Sequence, residues 1–150
     1  MRALIVAWVS FGIAFFASSA APRPGELTEK MVVVNPAENK WRHDPGDPPG
    51  SESIMLREDA KTSGIELLAR YPAGHVFPPH WHSANERIVL VEGRLSIKNG
   101  STAEYLERGG FAYLPAKKLQ RMACVSQAPC SFYVYWDGKL DFHKESEPPN

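Results

Sequence analysis

From Ser53 to Trp136 the chain keeps a two-residue rhythm of alternating side chains, broken every few residues by Gly, Asn or Pro. Ile65, Leu67, Ala69 and Tyr71 alternate with Glu66, Leu68 and Arg70, and Leu95 and Ile97 alternate with Ser96 and Lys98. Similar runs occupy 88–91, 111–114, 120–125 and 130–136. Period two belongs to an extended strand, in which successive side chains leave opposite faces and one face is buried. Turn signals separate the runs: Thr62-Ser63-Gly64, Pro72-Ala73-Gly74, Ser83-Ala84-Asn85, Asn99-Gly100, Arg108-Gly109-Gly110 and Asp137-Gly138. No stretch carries the 3.6-residue period of an amphipathic helix. Many short strands joined by tight turns predict an all-β sandwich or barrel.

The ends read differently. Ala3 to Ala17 is an almost uninterrupted apolar run after Met1-Arg2, and Ser18-Ser19-Ala20 supplies small residues of the kind a signal peptidase reads. Residues 1–20 are therefore expected to be a signal peptide, the alternative being an uncleaved anchor, for which the run is short. Residues 21–52 form a proline-rich arm in which regular helix or central strand is excluded. Within it, Met31-Val32-Val33-Val34 is a candidate edge strand and Trp41 a candidate anchor. The barrel is expected over 53–142 and a flexible polar tail over 143–150.

Composition narrows the partners. With 17 Lys+Arg against 17 Asp+Glu and no charged block, a nucleic-acid groove, an acidic tail and a polybasic membrane patch are all disfavoured. The expected partners are a small molecule and, through sheet edges or the arm, a second copy in a homodimer. Nucleic acid is not expected, nor a membrane once the leader is removed. The export reading places the product in the periplasm or outside the cell and makes Cys124 and Cys130, the only cysteines, a candidate disulfide. The alternative is two free thiols.

The chemistry concentrates in Gly74-His75-Val76-Phe77-Pro78-Pro79-His80-Trp81-His82-Ser83-Ala84-Asn85-Glu86. His80 and His82, two apart on a strand, point to one face, and Glu86 can fold back toward them from beyond a short turn. Two imidazoles and a carboxylate are the donor set of a divalent-metal site with open coordination positions, suited to Fe, Mn or Zn among others.

The stretch Gly74 to Gly93 resembles the first motif of the cupin superfamily, G-x5-H-x-H-x3-E-x6-G, at each fixed position. Gly109 to Pro115 resembles the start of the second, G-x5-P-x-G-x2-H-x3-N, after which Lys117 stands at the glycine position, Gln120 at the histidine and Cys124 at the asparagine. The resemblance implies a double-stranded β-helix, or cupin jelly roll, with the metal inside. It further implies Gln120 as the residue in the place of a fourth ligand, either binding through its carbonyl oxygen or hydrogen-bonding to a bound water. Parity places Met122 and Cys124 on the face of Gln120, so an inward Cys124 would compete with the disulfide. Tyr113 and Met122 are candidate pocket-lining residues, with Tyr133, Tyr135 and Trp136 further candidates for the pocket mouth. His75 is expected on the rim, His43 and His143 in solvent.

Among cupins the chain is most similar to small domains related to the cupin part of ChrR-type anti-sigma factors. Two functions follow from the resemblance: a metal-dependent enzyme of dioxygenase, isomerase or lyase type acting on a small molecule, or a noncatalytic metal-binding sensor or ligand-binding module.

Overall fold

The computed structural model describes residues 31–45 and 47–144. The expected signal peptide, the first part of the arm and residues 145–150 of the tail lie outside them. Among the described residues there are ten strands and no helix: β1 (Glu52–Glu58), β2 (Gly64–Tyr71), β3 (His80–Trp81), β4 (Glu86–Glu92), β5 (Leu95–Asn99), β6 (Thr102–Leu106), β7 (Phe111–Leu114), β8 (Arg121–Cys124), β9 (Cys130–Lys139) and β10 (His143–Lys144). All pairings are antiparallel. One sheet runs β1-β2-β9-β4-β7 and a second β6-β5-β8. Bridges Val76↔Ala123 and His80↔Gln120 carry the second sheet on to β3, whose other side takes β10. The all-β architecture expected from the alternation, and the jelly roll implied by the motif resemblance, is the fold.

The core lies between the sheets and is built by that alternation. On β4, Glu86, Ile88 and Leu90 point inward; on β9, Phe132, Val134 and Trp136; near and along β8, Gln120, Met122 and Cys124. Ile88 and Leu90 are wholly buried, each contributing roughly 1.5–3 kcal/mol through loss of apolar contact with water. Cys124 and Cys130 are disulfide-bonded with Cα atoms 5.8 Å apart, closing the turn between β8 and β9. Both sulfurs sit in the core, so an inward Cys124 and a bonded Cys124 are the same arrangement. Gly93 packs against this turn at φ 84°; a Cβ there would lie 2.7 Å from Pro129 O and 2.8 Å from Cys130 Sγ, so no side chain fits.

Several expectations need correction. No strand forms over 31–34; Val32 and Val33 stay exposed, so no burial of their side chains offsets the entropy of ordering an extended segment. The arm is instead held at Trp41, which lies 4.3 Å beneath the Arg70 guanidinium, and by reciprocal backbone hydrogen bonds between Arg42 and Ser53. Strand pairing also continues past the expected end of the barrel: His143 and Lys144 form β10 rather than the start of a loose tail. The His143 ring is not in free solvent but stacks on Trp81 at 3.8 Å, covering the side of β3 turned away from the core.

Candidate metal centre

His80 and His82 leave the same face of the chain, their ring centroids 5.0 Å apart, as the two-residue spacing demands. His80 is held by backbone hydrogen bonds in both directions with Gln120. Glu86 is brought back by the turn at 83–85, and Asn85 fixes that turn. The Asn85 backbone N–H donates to Asp137 Oδ1 (3.0 Å) and its side-chain amide to Asp137 Oδ2 (2.8 Å). Its own Oδ1 accepts from Tyr113 Oη (3.0 Å) and from the Ala116 N–H (3.0 Å). Arg87, under the same Asp137 carboxylate at 3.2 Å, completes the clamp. The inward face of β4 then carries Glu86 into the barrel beside the imidazoles.

His80, His82 and Glu86 are all buried, and one ligand atom from each falls within 4.8 Å of the others. Each imidazole has its Nδ1 against a backbone carbonyl: His80 against Pro78 O at 2.8 Å and His82 against Asp141 O. A carbonyl only accepts, so both Nδ1 atoms carry the proton and both Nε2 atoms present lone pairs. Glu86 Oε2 lies 3.5 Å from His82 Nε2. The Gln120 amide nitrogen lies 2.7 Å from Glu86 Oε2 and 3.1 Å from His80 Nε2 and donates to both. The histidines do not supply the missing positive charge: burial pushes His80 down to about 4 and also lowers His82. Burial pushes Glu86 up to about 7 despite the bond from Gln120. Three inward acceptors facing one amide donor group is a donor set that fits a divalent cation, at a buried position where water cannot disperse the charge.

Gln120 is thus inside the site, but as it lies it offers N–H groups rather than a ligand lone pair. Met122 is buried on the same face as part of the core. Tyr113, expected at the pocket, is instead about half exposed on the outer face of β7, because the parity that turns Ala112 and Leu114 inward turns it out, opposite Arg87. Its contribution is the hydrogen bond to Asn85. Tyr133 and Tyr135 share the outer face of β9, whereas Trp136 is buried with its ring 5.6 Å from that of His82 and its indole N–H without a hydrogen-bond partner. His75 lies between Tyr71 and Phe77 at the barrel end, away from the ligand cluster. Lys117, at the motif glycine, has φ 56° and donates its backbone N–H to His82 O (2.8 Å), so the left-handed conformation persists without the glycine. Sequence reasoning missed Asn85, Asp137, Asp141 and Phe142. Asn85 belongs to the Ser83-Ala84-Asn85 turn signal, but its partner Asp137 is 52 residues away and no local pattern links them.

A jelly roll that turns two imidazoles and a carboxylate inward defines a cupin. The family described as the ChrR cupin-like domain matches residues 29–136, and the chain belongs to it. The DNA damage-repair/toleration protein DRT102 of Arabidopsis thaliana is 28% identical over 131 residues, covering 86% of this chain but only 40% of that protein. Among solved structures, a putative acetylacetone dioxygenase from Methylibium petroleiphilum superposes with a TM-score of 0.68 at 19% identity, over 83% of this chain and 89% of that one. The polyketide cyclase RemF from Streptomyces resistomycificus gives 0.62 at 18%, over 80% and 90%. The DMSP lyase DddQ from Ruegeria pomeroyi gives 0.58 at 15%, over 82% and 75%. At these identities the structural likenesses establish the fold.

Proposed function

We propose that this chain is an exported cupin that binds a divalent metal through His80, His82 and Glu86 and acts on a small molecule there. The observation that carries the reading is the inward set of two Nε2 lone pairs and a carboxylate, with no Lys or Arg paired to it among the described residues. A bound divalent ion would supply Lewis acidity at positions left open by three protein ligands. Pro78 O and Asp141 O hold the imidazoles in the ligating tautomer, and the Asn85–Asp137 clamp sets the reach of Glu86. Gln120 restrains Glu86 and can donate to an oxygen of a bound ligand, while Trp136 keeps a buried N–H beside the site. Dioxygenase, isomerase and lyase chemistry all fit such a centre, and the names of the structural neighbours span a comparable range. Export is supported by the apolar run before Ala20 and by the Cys124–Cys130 bond, which suits an oxidising compartment.

Metal analysis of the purified protein tests the reading: about one equivalent of metal in wild type and none in His80→Ala or Glu86→Ala is expected. Absence of metal, with stability unchanged by His80→Ala, refutes it. The near-complete burial of all three ligands favours a second reading, a noncatalytic binding or sensing module. Metal that stays bound but exchanges no ligand with solvent would select that reading.

A further inference from the structure

We propose that Phe142 gates the buried imidazoles, as the movable member of a strap formed by residues 140–144; its role for a metal-binding ligand rests on the function proposed above. The Phe142 ring stacks on His80 with centroids 4.3 Å apart and planes 15° apart, and meets His82 edge-on at 5.8 Å. His80 and His82 are 1% and 6% exposed, whereas Phe142 is 45% exposed. A side chain that touches both hidden rings and shows nearly half its surface to water is the layer between them on that side.

The strap is fastened on each side of Phe142 but not at Phe142. Before it, the Asp141 carbonyl accepts from His82 Nδ1 and its Oδ1 accepts from the Ser83 N–H (2.8 Å). After it, β10 makes a two-residue pairing with β3, and His143 stacks on Trp81 while its Nε2 lies 3.1 Å from Asp141 Oδ2. The Phe142 side chain takes no part in these hydrogen bonds and pairings, so a rotamer change moves it without breaking the fastenings. Behind it stand the His80 and His82 rings, with Trp136 beside His82, and the inward ligand atoms, where a bound metal would take an oxygen donor. That combination suits a small ligand whose donor oxygen is carried on an apolar or planar conjugated body.

Two measurements test the gate. Metal-free protein is treated with diethyl pyrocarbonate, and modification of His80 and His82 is followed by peptide mass analysis. Zinc-loaded protein is mixed with excess chromogenic chelator, and release is timed. Phe142→Ala is expected to speed both by about ten-fold, as loss of a local cover does, with an unchanged fold by circular dichroism. Phe142→Leu, which keeps apolar bulk without the ring, should fall between and replaces the alanine variant if that one does not fold. Wild-type rates in both variants would overturn the proposal. A wild type that takes up no zinc, while Phe142→Ala still speeds modification, refutes the metal reading and upholds the gate.

Discussion

The side-chain amide of Gln120 sits 2.7 Å from Glu86 Oε2, a carboxylate buried inside the barrel. Replacing Gln120 with Leu leaves that buried carboxyl without the bond. The expected cost to the metal-free protein is about 1–3 kcal/mol, read from urea unfolding. Gln120→His should instead supply a further imidazole and raise zinc affinity by roughly ten-fold or more, measured by chelator competition.

Metal should stabilise the fold. At a free zinc concentration about 100-fold above its dissociation constant, unfolding is expected to cost about 2.7 kcal/mol more than in chelator. His82→Ala should abolish this difference in a thermal melt, while Tyr105→Phe, exposed on β6, should keep it.

Acid should loosen the turn that delivers Glu86. Burial pushes the Asp137 carboxyl up, but the hydrogen bonds from Asn85 and then Arg87 outweigh it and leave the group below its ordinary 3.8. Its stabilising contribution is therefore present above that value and is lost as pH falls through the lower folded-state value. Urea midpoints compared at about pH 5 and about pH 3 should fall more steeply for wild type than for Asp137→Asn. Equal slopes would show that the clamp contributes nothing.

The bond between Cys124 and Cys130 closes a small loop, so its loss should cost about 2 kcal/mol on the chain-entropy account. Unfolding of the Cys124→Ser, Cys130→Ser double variant against oxidised wild type measures this.

Lys117 holds φ 56° in a place where the motif carries glycine. Relief of the left-handed conformation, offset by the greater freedom of glycine in the unfolded chain, should make Lys117→Gly more stable by roughly 0.5–1 kcal/mol. A lower melting temperature for this variant would show that the lysine side chain contributes more than its backbone costs.

Alternation and turn residues were enough to read most of the barrel, because burial of one face imposes period two wherever it occurs. β6 escaped: Thr102 to Leu106 lies at the edge of its sheet, with no fully buried side chain among them, so it leaves no rhythm. β10 escaped because two polar residues cannot announce a pairing made with a strand some 60 positions earlier. The three acceptors of the metal centre were legible since their spacing is local. The groups that aim them were not: Asp141 and Asp137 reach His82 and Asn85 across the fold, and Phe142 resembled an ordinary residue near the chain's end. Residue type alone makes Tyr113 a pocket candidate, whereas its register opposite Arg87, one position from the inward Glu86, turns it outward.

The order β1-β2-β9-β4-β7 also governs how the molecule can come into being. β9 is the central strand, hydrogen-bonded to β2 on one side and β4 on the other, yet it follows every other strand of that sheet in the chain. Until residue 139 is available the larger sheet has two halves with nothing to join them, and its closure depends on contacts between distant parts of the chain, a slow kind of folding. A nascent chain of this design leaves that sheet open until β9 has emerged, and any truncation before β9 should yield an aggregation-prone fragment rather than a smaller barrel.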